Sequence, residues 1–68
     1  MMSHLAEHRK ARGLTQAQLA EAVGVSRKTV NTVENRVFVP STLLALKLAR
    51  ELGVTVEDIF VLEEADCA

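Results

Sequence analysis

Arg27 and Lys28 stand side by side behind Ser26, and Asn31 and Thr32 follow one helical turn later. Two cations, an amide and a hydroxyl offer donors and acceptors to a hydrogen-bonding or anionic partner, but they contain no nucleophile paired with a base. The chemistry they can perform is recognition. Other chemical candidates are thin. His4 and His8 lie four apart, a spacing that can chelate a metal, but no carboxylate-rich or cysteine-bearing segment completes a ligand set, and there is no phosphate-binding glycine loop. Cys67, the only cysteine, is next to last in the chain and can neither close an internal disulfide nor anchor a metal cluster. The sequence argues against an enzyme. It implies no metal, no cofactor and no evident small-molecule ligand.

Residues that recognise a partner need rigid elements to hold them. Helix signals run along the chain, separated by short turns. A first helix is predicted over residues 4–12, with Ser3 as its N-cap and Gly13 just past its end. Thr15 and Gln18 have capping-box spacing and open a second helix, with Leu19, Ala20 and Val23 on one face; Gly24 stops it. Ser26 caps a third helix running from Arg27 to about residue 35, whose inner face is Val30, Val33 and Glu34. Pro40 and Ser41 open a fourth, with a stripe of Leu44, Leu48 and Leu52 beside Ala45 and Ala49 and a stop at Gly53. Thr55 caps a short fifth helix over residues 56–59.

The spacing within residues 15–35 has a geometric meaning. Two helices joined by a sharp turn need a small residue where they cross, a glycine at positive φ in the turn and a buried aliphatic residue on the second helix. Ala20, Gly24 and Val30 hold those places, and Leu19, Val23, Val25 and Val33 complete the lining. This is a helix-turn-helix. Glu34 falls on the apolar face of the third helix, where a lone carboxylate is costly, so a structural ion pair with Arg9 of the first helix is expected.

The stretch RGLTQAQLAEAVGVSRKTV, followed by ENRVFVPSTLLALKLARELGV and EDIF, resembles the Cro and repressor type of bacterial and phage DNA-binding regulator, over about residues 5–62. The resemblance implies an all-α, compact bundle of four to five helices, a homodimer, and a third helix that enters the major groove of double-stranded operator DNA. It implies base contacts by Arg27, Lys28, Asn31 and Thr32, and phosphate contacts by Gln16, Gln18, Ser26, Thr29, Asn35 and Arg36. Three positions depart from the pattern. Arg36 stands where glycine is usual, so the exit from the third helix is expected to differ. His8 replaces an aliphatic residue and is expected to be partly buried. Leu43 replaces a polar one and is expected to be exposed.

Composition agrees with a helical reading. Hydrophobic residues make up 49% of the 68, which excludes disorder, and the only aromatics are Phe38 and Phe60, so the core is aliphatic. One domain spans residues 1–68, and so small a chain buries only about 60% of its unfolded surface, which a partner subunit would supplement. No apolar run is long enough to span a bilayer and no signal peptide is evident, so a cytoplasmic protein is expected. The net charge of -1 hides a polarity: residues 1–36 hold six basic and three acidic side chains, +3, while residues 37–68 hold two and six, -4. The basic half contains the helix-turn-helix.

After the fifth helix, Ile59, Phe60, Val61 and Leu62 form an apolar run that Glu63 and Glu64 close. Residues 59–64 are expected to dimerise the chain, in a short extended segment paired with residues 1–3 and helped by Val37, Phe38 and Val39. The expected function is therefore transcription regulation, as a repressor, on an inverted-repeat operator. The competing reading is an antitoxin-like or adaptor protein that uses the same fold mainly to bind another protein.

Overall fold

A computed structural model describes residues 1–67. It contains α1 (Leu5–Ala11), α2 (Gln16–Val23), α3 (Arg27–Glu34), α4 (Thr42–Leu52) and α5 (Val56–Ile59), with a two-stranded antiparallel sheet of β1 (Met2–Ser3) and β2 (Phe60–Val61) and a final 3-10 turn at Glu64–Cys67. In the sheet Met2 faces Val61 and Ser3 faces Phe60. The architecture is an all-α five-helix bundle, and among the described residues no helix is long and apolar enough to cross a membrane.

Caps set the helix boundaries. The hydroxyls of Thr15, Ser26, Ser41 and Thr55 accept from the backbone N–H of Gln18, Thr29, Leu44 and Asp58, satisfying a donor that each first turn leaves open. At Thr15 and Thr55 the box closes both ways, since Gln18 and Asp58 accept from the capping residue's own N–H. α1 departs from expectation. His4, not Ser3, occupies the cap position and makes no side-chain cap bond, although the Ser3 Oγ, one residue earlier in β1, accepts from the Leu5 N–H at 3.4 Å. Two long-range bonds steady that end instead: the His4 N–H donates to the Ile59 carbonyl at 2.7 Å, and His8 Nε2 lies 3.1 Å from the Asp58 carbonyl.

The core is aliphatic, as the composition requires. Leu5, Leu19, Val30, Val33, Leu48 and Ile59 have almost no exposed surface, and Ala20, Val23, Leu44, Ala45, Ala49, Leu52 and Phe60 surround them. Ala20 lets α2 and α3 approach, and Gly24 at φ 76° turns the chain so that the Val25 N–H closes on the Ala20 carbonyl at 3.0 Å. A Cβ on Gly24 would touch nothing within 4 Å. Backbone conformation, not space, requires glycine there.

The exit from α3 corrects an expectation. Arg36 replaces the usual glycine yet adopts the left-handed conformation at φ 64°, alone among the described non-glycine residues. The turn keeps its ordinary shape, and the backbone at Arg36 bears a strain of about 1 kcal/mol.

Candidate nucleic-acid interface

At about 100° per residue, Arg27, Asn31, Lys28 and Thr32 fall within one arc of α3, and Val30 and Val33 point the opposite way into the core. Arg27, Lys28 and Asn31 are exposed, and Thr32 is half-buried. The inner valines fix the helix's rotation, so the arc faces outward by packing. Ser26 secures its first turn: its Oγ accepts from the Thr29 N–H at 3.1 Å and lies 2.9 Å from Thr29 Oγ1. Thr32 Oγ1 donates to the Thr29 carbonyl at 2.9 Å, which leaves its oxygen lone pairs and methyl to face outward. Asn35 Nδ2 donates to Asn31 Oδ1 at 3.2 Å, so the Asn31 amide keeps both N–H donors free.

Two grooves flank Lys28. One, of about 310 Å³, is lined by Gln16, Arg27, Lys28 and Asn31; the other, of about 380 Å³, by Ser26, Lys28, Thr29, Thr32, Val37 and Phe38. Each has donors on its walls and opens to solvent beside α3.

Beneath the first groove lies the polar anchor of the domain. Arg9 donates from Nε to Glu34 Oε2 at 2.6 Å and from Nη2 to Oε1 at 3.2 Å, while its Nη1 reaches the Leu14 carbonyl at 2.8 Å. The side chains are only 11% and 6% exposed. Gln16 Nε2 joins them, donating to Glu34 Oε1 at 3.0 Å. The fork geometry and the third donor offset the cost of removing a carboxylate from water. Within this network one amide hydrogen of Gln16 is committed inward, and the other is left for a phosphate. Gln18 keeps both amide N–H donors free, since the capping box uses only its oxygen. The link from Gln16 to Glu34 was missed, though Gln16 opens α2 just where Glu34 needs a further donor.

Arg36, expected at a phosphate, has its guanidinium engaged at the chain termini: its Nε donates to the Met1 carbonyl at 3.0 Å and its Nη2 to Glu63. Around it, the Met1 ammonium lies 2.9 Å from Glu63 and 2.8 Å from Asp66. Bonding to the Asp66 and then the Glu63 carboxylate raises the affinity of the Met1 amine for its proton. The same bonds hold both carboxyls below their usual range.

The apolar residues expected at a dimer interface divide into two sets. Ile59 is 0% and Phe60 8% exposed, so both are spent on the core of their own chain and have almost nothing to offer a second copy. Val61 and Leu62 are exposed, as are Val37, Phe38 and Val39. Met2 and Leu46 join them unforeseen. Leu46 could have been found by noting that it lies three residues from Leu43, off the buried stripe of α4. Leu43 is exposed and His8 half-buried. The imidazoles of His4 and His8 are each engaged elsewhere, His4 Nδ1 lying 3.3 Å from Glu7.

The helix-turn-helix family model matches residues 5–59. An uncharacterised HTH-type transcriptional regulator of Methanothermobacter thermautotrophicus is 49% identical over 65 residues, with 94% of each chain covered. The uncharacterised HTH-type transcriptional regulator YgzD of Bacillus subtilis is 44% identical, covering 94% of this chain and 97% of its own. Among solved structures, the restriction-modification controller protein C.AhdI from Aeromonas hydrophila has a similar fold, with a TM-score of 0.76 and 38% identity over 82% of this chain and 85% of that one. The family match, these relatives and the shared fold thus define a DNA-binding regulator. The chain belongs to the helix-turn-helix family of transcriptional regulators, of the Cro and repressor type.

Proposed function

We propose that the protein is a cytoplasmic repressor that binds an inverted-repeat operator in double-stranded DNA as a homodimer, with α3 in the major groove. The observation that carries this reading is the arc of Arg27, Lys28, Asn31 and Thr32 on a helix whose rotation is locked by Val30, Val33 and Glu34. Arg and Lys side chains match the paired acceptors of guanine, Asn matches adenine, and the threonine methyl suits thymine. Phosphate contacts then fall to Gln18, Ser26, Thr29, Asn35 and the remaining N–H of Gln16, around the two grooves.

A second copy supplies the second half-site. The exposed apolar residues Val37, Phe38, Val39, Val61 and Leu62 support dimerisation through the terminal sheet and the loop after α3. A two-fold axis places the paired α3 helices about 34 Å apart, so half-site centres are about 10 base pairs apart.

An electrophoretic shift on DNA upstream of its own gene, repeated across salt concentrations, tests the reading. Arg27→Ala or Lys28→Ala costs about 1–3 kcal/mol on the operator and far less on random DNA. Equal losses on both DNAs reduce these residues to phosphate grips. No shift at any salt, with a protein captured through the apolar surface, favours the adaptor reading.

A further inference from the structure

The last turn of α3 closes with two bonds: the Arg36 N–H donates to the Val33 carbonyl at 3.2 Å and the Val37 N–H to the Thr32 carbonyl at 2.9 Å. That double closure needs a left-handed residue between helix and loop, and glycine fills it without strain. Asparagine, with a short side chain, also tolerates it. Neither could do what the arginine does. From φ 64° its guanidinium extends to both terminal segments, to the Met1 carbonyl and to Glu63, 35 and 27 residues away in sequence. A strained residue that only a long cationic side chain explains points to a task for that side chain.

We infer that Arg36 is a positioning residue, a strut that ties the terminal sheet to the exit of α3. Two surfaces meet at this strut. Val37 and Phe38, which follow it, wall the groove beside Lys28 and Thr29. The terminal sheet and the residue after it carry Met2, Val61 and Leu62 outward. Held together by Arg36, the loop beside the reading helix and the terminal sheet move as one body, so that the pairing of two copies orients α3. The consequence for DNA rests on the function proposed above; the strut itself does not.

The test uses the full chain and two readouts. Amide hydrogen exchange at Val37 and Phe38, both bonded to the Thr32 carbonyl, reports the loop. Fluorescence anisotropy with operator and random duplexes, over a salt titration, reports binding. Glu63→Gln, which keeps the shape and removes the charge, is expected to speed exchange at Val37 and Phe38 by about tenfold and to weaken operator binding by a similar factor. Arg36→Gly relieves the backbone yet weakens operator binding to the same extent; adding Glu63→Gln to it costs less than Glu63→Gln costs alone, the remainder being the bond of Glu63 to the Met1 ammonium, and Arg36→Lys retains part of the effect.

The opposite sign overturns the inference. If Arg36 is a phosphate contact merely sheathed by Glu63, Glu63→Gln strengthens binding to operator and random DNA alike, and Arg36→Gly lowers the salt slope by about one. Unchanged exchange at Val37 and Phe38 in Glu63→Gln also overturns it. If the wild-type chain binds no DNA, the proposed function fails, and the exchange readout still decides the strut.

Discussion

Gly24 and Arg36 sit at the ends of consecutive helices in nearly the same left-handed conformation, φ 76° and 64°. One end is built from the cheapest residue for the turn and the other from an expensive one. The turn between α2 and α3 is self-sufficient: glycine, the Ser26 cap and the buried Val23, Val30 and Val33 specify it from within. The exit of α3 is specified from outside, by groups on the terminal segments. A fixed unit that presents side chains to a partner and a junction that takes its shape from distant parts of the chain are different designs, and mutation separates them.

The largest effect is expected where the self-sufficient unit is anchored to α1. Removing one partner of the buried Arg9–Glu34 pair strands a charge, so Arg9→Ala or Glu34→Ala should lower stability by about 3–5 kcal/mol in thermal or urea unfolding. In Glu34→Ala, Gln16 also loses its acceptor. At a temperature where the variants stay folded, operator affinity should hold within a few fold. A variant that melts like the wild type but fails to bind DNA reassigns Arg9 to the DNA surface.

Next in size is the terminal sheet. Val61→Ser with Leu62→Ser alters exposed side chains only, so helix content and melting of the monomer should hold, while sedimentation at micromolar concentration shows dissociation and operator affinity falls by at least about tenfold. Phe60→Ser is the wrong variant for this purpose. Phe60 is part of the core, and its loss mixes unfolding with dissociation. If the double variant still sediments as a dimer, the interface lies on α4, where Leu43 and Leu46 are exposed.

How far the fold was legible in sequence follows the same division. Thr15, Ser26, Ser41 and Thr55 were readable as caps, and Gly24 and Gly53 as stops, because each acts within four residues of itself. The stripe on α4 and the partnering of Glu34 were readable from periodicity and from the cost of a buried carboxylate. Arg36 was not. Its strain argued against the conformation it adopts, and what holds it lies on the far side of the chain. Ile59 and Phe60 were misplaced for a related reason. Four consecutive apolar residues look alike in sequence, and only the end of α5 and the pairing of Ser3 with Phe60 decide which two turn inward. At the interface, the arc on α3 was legible, while the inward bond of Gln16 depends on how three helices meet.

A smaller effect tests the turn itself. Gly24→Ala meets no neighbour, so any loss is conformational and should be about 1 kcal/mol, a few degrees in melting temperature for a domain of this size. A loss several times larger means that the turn is packed more tightly than its surroundings indicate. No loss at all means that α3 can tilt to relieve the strain, and operator affinity should then reveal it.

The smallest effect belongs to the clasp at the termini, and its sign depends on pH. The Glu63 and Asp66 carboxyls are held below their ordinary values chiefly by the Met1 ammonium. The folded state therefore binds fewer protons than the unfolded one on the acid side. Their contribution is complete above the unfolded carboxylate range and is lost as pH falls through the lowered values. The Met1 amine is raised, so its share is complete below its unfolded value and is lost as pH rises through the folded one. Between those limits the clasp contributes fully, and stability should form a shallow plateau that declines at both ends. All these groups are exposed to water, so added salt should flatten both declines. Asp66→Asn should flatten the acid side without lowering the melting temperature at acid pH, where the wild-type carboxyl is already protonated. A plateau unchanged by Asp66→Asn and by salt would move the pH dependence elsewhere, first to Asp58, whose carboxyl is lowered by the backbone and hydroxyl of Thr55 in the cap of α5.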